Sequence, residues 1–155
     1  MASSKKQILV IYHSQGGTMK RMAEQFSAGA AKERNVEVVF KNAADATKDD
    51  LLNCSAISIG SPEYFGTMAG IIKDFFDRTY PLVQEKTIGL PYVVFVCAGN
   101  DGRGALSQID RIAAGYKWNQ VQEHLRIVGE PTKEDFEKLE ELGQTMAAGV
   151  DFGIF

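Results

Sequence analysis

A chain of 155 residues, 45% hydrophobic and 24% charged, suits one domain with a sizeable core and carries no compositional sign of disorder. A formal net charge of −3 without a basic cluster argues against binding to a nucleic-acid backbone. No apolar run approaches the ~20 residues that a membrane-spanning helix needs.

The first residues, Met1 to Lys6, run straight into an apolar stretch with no h-region or cleavage site, so the cytosol is the expected location. Gln7 to Tyr12 is continuously apolar, the pattern of a strand buried on both faces. A turn of small polar residues follows at 13–18, with Thr18 expected as the N-cap of a helix carrying Met19, Met22, Ala23, Phe26 and Ala30 on one face. Val36 to Phe40 is a second short strand, and one helical turn is expected around 49–52. Ser55 to Gly60 is a third strand, 61–66 a loop, and Thr67 the start of a helix that Pro81 should stop. Pro91 opens the strand Tyr92 to Cys97, a Gly-rich loop spans 98–103, and Gly104 to Tyr116 is helical. Leu125 to Val128 is the last strand. Thr132 and Asp135 resemble a capping box at the head of a final helix whose polar face carries Glu134, Glu137, Lys138 and Glu141.

Strand and helix therefore alternate about five times across 1–155, with no repeat or linker, which reads as one domain. Such alternation implies an α/β, three-layer, doubly wound parallel sheet of five strands, and at this length the expected order is 2-1-3-4-5. Ligands of open α/β sheets bind beyond the carboxyl ends of the strands. Three loops converge there. In the first, Ser14, Gln15, Gly16, Gly17, Thr18 and Met19 look like an anion cradle of backbone N–H groups and hydroxyls at a helix N-terminus. The second, Pro62, Glu63, Tyr64, Phe65 and Gly66, offers aromatic faces for a flat heterocycle. The third, Ala98, Gly99, Asn100, Asp101 and Gly102, offers backbone donors and acceptors for the same ring. Neither GxGxxG nor GxxxxGK[ST] is present, which argues against a nicotinamide Rossmann domain and a P-loop ATPase.

The stretch from Gly60 to Gly70, followed by Lys73, Phe75, Asp77 and Arg78, resembles the pattern G-[ST]-P-x-x-F-G-x-M-x-x-x-x-K-x-F-x-D of the flavodoxin family, particularly its WrbA-like and NADPH-dependent FMN reductase-like branch. Tyr12, Ser14, Gly17 and Thr18 fall where that family places its first loop. The resemblance spans essentially the whole chain. It implies a flavoprotein with FMN as cofactor, its phosphate at 14–19 and its isoalloxazine between 62–66 and 98–102. The implied activity is redox or electron transfer as an NAD(P)H-linked oxidoreductase of quinones or similar acceptors. Implied partners are NAD(P)H, a quinone or a redox protein, and a second copy of the chain. No essential acid, base or nucleophile is expected. Glu63 and Asp101, set beside the ring, would disfavour an anionic reduced flavin and lower its potential.

Two other readings stay open at this level. One is a pure electron-transfer flavodoxin with no substrate of its own. The other is a phosphatase, because Cys97 and Arg103 fit C-x5-R, a thiolate nucleophile with an arginine clamp. Cys54 and Cys97 form no metal-binding spacing and are expected as free thiols. His13 is expected to orient its turn or face solvent and His124 to face solvent, while Tyr116 and Trp118 are expected to pack at a helix end. Phe152, Ile154 and Phe155 make the tail apolar, against the core or a partner.

Overall fold

Strands that are apolar at every position need a layer on each side, and β1 (Lys6–Tyr12) supplies both sets of residues. In the computed structural model, which describes residues 5–155, Ile8, Val10 and Tyr12 face one core while Leu9 and Ile11 face the other. The first core lies under α1 (Thr18–Ala30) and α5 (Lys133–Asp151) and takes Phe26, Leu139 and Met146. The second holds residues of α2 (Lys48–Asn53), α3 (Gly70–Val83) and α4 (Arg103–Tyr116), among them Leu51, Ile72, Phe75, Phe76 and Ile109.

The sheet runs β2 (Val36–Asn42), β1, β3 (Ala56–Tyr64), β5 (Pro91–Ala98), all parallel. Its last position is shared by β6 (Asn119–Gln120) and β7 (Leu125–Val128), each parallel to β5. With that split strand counted once, the order is the expected 2-1-3-4-5. The break has a physical cause. Between the two segments, Nδ1 of His124 accepts the Val94 N–H at 3.0 Å, replacing a ladder partner. Because Nδ1 accepts, Nε2 carries the proton and donates to Asp110 at 2.6 Å, and Tyr92 Oη donates to the same oxygen at 2.7 Å. His124 therefore does not face solvent; its side chain is only 9% exposed.

Other element ends also differ from the sequence reading. Thr18 is the first helical residue rather than the cap, and Gly17 holds the cap position at φ 96°. The second loop is largely strand. β3 continues through Ser61 to Tyr64, turns at Phe65 (φ 53°) and Gly66 (φ 75°), and pairs antiparallel with β4 (Thr67–Met68). Two central residues with positive φ make the tight hairpin that suits strand twist. The following helix starts at Gly70, not Thr67. Pro81 lies within its last turn and does not stop it, because its ring is exposed there and only one helical bond is lost. The capping boxes Thr47–Asp50 and Thr132–Asp135 are both formed.

Candidate functional site

Among the helices that start at the carboxyl edge of the sheet, α1 and α4 have first turns in opposite states. Both are entered through a glycine in the left-handed region, Gly17 (φ 96°) for α1 and Gly102 (φ 73°) for α4, where a side chain would be strained. The first-turn amides of a helix have no partner within it. In α4, Glu63 supplies one: its Oε1 accepts from Gly102 N–H and its Oε2 from Ala105 N–H, each at 3.1 Å. In α1 the amides of Thr18, Met19 and Lys20 have no partner among the described residues, and no side chain caps the helix. Ser14 Oγ closes the preceding turn by accepting the Gly17 N–H at 3.0 Å. Open space surrounds Gly16 and Gly17. A cradle of free amides at the positive end of a helix, with room above it, fits one phosphate.

The predicted first-loop residues do not contribute alike. Gln15 and Gly16 are exposed, whereas the Met19 side chain is buried against Gly60 and the Phe95 ring. Met19 therefore offers its amide and not its thioether. His13 meets the Tyr64 ring edge-on, 6.2 Å between centroids, and so joins the first loop to the second.

In the second segment Pro62 is buried and pairs with Cys97 across β3 and β5. Tyr64 is partly buried beside it. Burial pushes its phenol up, the neighbouring Cys97 adds to this, and the Gln15 amide opposes it. Phe65 stands fully exposed at the turn, an apolar face with nothing packed on it among the described residues. Buried Ser61 fastens this strand to α3, donating to Pro62 O at 2.8 Å and accepting from Ala69 N–H at 3.0 Å. In the third segment Gly99, Asn100 and Asp101 are exposed, with open space around Gly99. Ala98 O accepts from Gly129 N–H at 2.9 Å, Asp101 Oδ1 from Arg103 N–H at 3.0 Å, and Asp101 O from Arg126 Nη1.

The phosphatase reading does not survive this geometry. At the end of the Cys97–Arg103 loop the Gly102 amide is bonded to the Glu63 carboxylate, which an incoming phosphate would meet, and the Arg103 amide is bonded to Asp101; burial pushes the Cys97 thiol up to about 11. A thiol so placed is not a nucleophile near neutral pH. Among the described residues no group of side chains is arranged to hold a metal ion, and no helix is long and apolar enough to cross a membrane. The expectation that Glu63 faces a flavin also changes: both of its oxygens point at α4.

The remaining motif residues lie away from the three segments. Lys73 pairs with Asp77 at 2.8 Å along α3. Arg78 forks onto the carbonyls of Ala43 (2.6 Å) and Ala46 (2.7 Å), tying α3 to the segment after β2. Behind the hairpin, a groove of about 650 Å³ runs between β4, α3 and α4, with Met68 and Ile112 on its walls and Lys73 and Arg111 at its rim. Sequence reasoning passed over Ser61, Gly104 and Gln108. The first is a polar residue inside an apolar strand, which signals a buried hydrogen bond. The other two carry no local signal, because their partners lie on the hairpin.

The family described as Flavodoxin matches residues 10–143. A flavodoxin of Aquifex aeolicus is 38% identical over 97 residues, covering 63% of this chain and 52% of that protein. An NAD(P)H dehydrogenase (quinone) of Acidithiobacillus ferrooxidans is 32% identical over 118 residues, covering 63% of this chain and 59% of that protein. The chain thus spans little more than half the length of these curated relatives. A solved structure of a flavodoxin from the domain Archaea superposes with a TM-score of 0.84 at 27% identity, covering 94% of this chain and 99% of that one. With its doubly wound sheet and an open phosphate-sized cradle at the first strand–helix turn, this chain belongs to the flavodoxin family of FMN-binding redox proteins.

Proposed function

We propose that the chain is a single FMN-binding unit acting as an NAD(P)H-linked oxidoreductase of quinones or similar acceptors. Its phosphate seat is the turn Ser14 to Met19, and its ring seat lies between the 62–66 hairpin and the 98–102 loop. One observation supports the placement: at this edge the α4 N-terminus is sealed by Glu63, whereas the first-turn amides of α1 have no partner among the described residues. Bound FMN supplies electron or hydride transfer. The chain's own residues bind and orient. Ser14 holds the turn so that the α1 amides converge, and neutral donors meet the phosphate without a Lys or Arg in the loop. Backbone groups of Gly99 and Asn100 are free to meet the ring edge, and exposed Phe65 offers it an apolar face.

The oxidoreductase activity is supported by the name of the Acidithiobacillus relative. A carrier without its own substrate is the second reading, favoured by full-length correspondence with the archaeal flavodoxin, 99% of that chain. Steady-state oxidation of NADPH by the FMN-loaded protein, with a quinone as acceptor, separates the two. Turnover that follows enzyme concentration supports the oxidoreductase. Loss of absorbance only when a separate reductase is added supports the carrier.

A further inference from the structure

Glu63 performs a task that neither the family nor its relatives' names assign. Its carboxylate reaches from the β3–β4 hairpin to the N-terminus of α4, accepting Gly102 N–H and Ala105 N–H at 3.1 Å each. The hairpin meets α4 twice more. Gln108 Oε1 accepts Met68 N–H at 3.0 Å, and Gly104 lies so close beneath the Gly66 carbonyl that a Cβ there would overlap it. Thr67 Oγ1 closes the turn onto Tyr64 O at 3.0 Å. A carboxylate on a helix N-terminus combines charge-assisted hydrogen bonds with the helix dipole.

We propose that Glu63 is a positioning residue: it straps the 62–66 hairpin to the 98–102 loop, so that both walls of the ring seat are preformed as one body. The role rests on the flavin site argued above. Its second consequence is electrostatic. The negative charge of Glu63 is spent on α4, and the α4 N-terminus loses its counter-anion when that charge is removed. Releasing the strap lets the hairpin leave its binding-competent position. If that position falls to about a tenth of the population, the apparent Kd for FMN rises about tenfold.

The test uses the full chain and two variants. Glu63→Gln removes the charge and sets amide N–H groups against the helix amides. Gly104→Ala keeps Glu63 but wedges the hairpin from α4. In the absence of flavin, single-residue amide exchange at Gly102 and Ala105 should speed up in both. FMN titration should show about tenfold weaker binding in both. The midpoint potential of bound FMN should rise in Glu63→Gln alone, a change that a purely structural defect does not produce. Unchanged exchange at Gly102 and Ala105 in Glu63→Gln overturns the strap, as does unchanged FMN affinity alongside faster exchange. If Glu63→Gln does not fold, Gly104→Ala decides by the same exchange and affinity readouts. Failure of the flavin reading is distinguishable, because the unmodified protein would then bind no FMN.

Discussion

The Ser14 hydroxyl and the Gly17 backbone together shape the first turn, and both act through geometry rather than charge. Gly17→Ala forces a side chain into the left-handed region at φ 96°, which is unfavourable by about 1–2 kcal/mol. The expected result is weaker FMN binding with little change in riboflavin binding, read by fluorescence titration of both ligands. His124 acts at the opposite edge of β5. Removing its ring in His124→Ala leaves the Val94 N–H without a partner and Asp110 with the Tyr92 hydroxyl as its remaining donor. A loss of about 1–3 kcal/mol in unfolding free energy is expected by urea titration, with FMN affinity unchanged. Residue types show the first role and not the second. The turn composition of 14–18 points to an anion seat because small residues free the amides, whereas a histidine in a polar stretch carries no mark of the strand edge it completes.

At the scale of elements, α1 and α5 approach through glycines rather than through side chains. A Cβ at Gly29 would overlap the Glu140 backbone, and one at Gly143 the Phe26 carbonyl. Gly143→Ala should therefore push the helices apart and lower stability by about 1–3 kcal/mol, measured as a shift in denaturant midpoint at constant m-value. The central strands were legible from sequence because β1, β5 and the first half of β3 are apolar runs of a length that a doubly covered sheet accommodates. The hairpin was not. Pro62 and Glu63 carry loop chemistry, yet β3 runs through them, because Pro62 pairs with Cys97 and Glu63 bonds to amides 39 and 42 residues away. Local pattern cannot register a bond of that span. The same limit hid the split of the last strand, whose cause is a side chain rather than a backbone turn signal.

For the whole molecule, the alkaline limit of stability follows from neutral groups held inside. Burial pushes Cys97 up to about 11 and Cys54 up to about 12, from 9.0. Burial pushes Tyr116 up to about 12 from 10.0, and burial with the Asp110 hydrogen bond also raises Tyr92. Each folded-state value lies above its unfolded one, so the folded chain retains more protons. Stability is then fully present below about pH 9 and falls as pH rises toward 12. Thermal melts from pH 7 to 11 should show a declining Tm above pH 9, and thiol reagents should label native protein slowly and unfolded protein fast.

Assembled, the two cores fix the sheet, the sheet aligns three segments, and the open α1 terminus is the proposed seat of the FMN phosphate. The most direct test of that account is the visible spectrum of the protein after mixing with FMN and desalting. Flavin absorption bands should travel with the protein at one FMN per chain, with quenched fluorescence, and Gly17→Ala should retain less. A colourless protein after loading at high FMN concentration would contradict it.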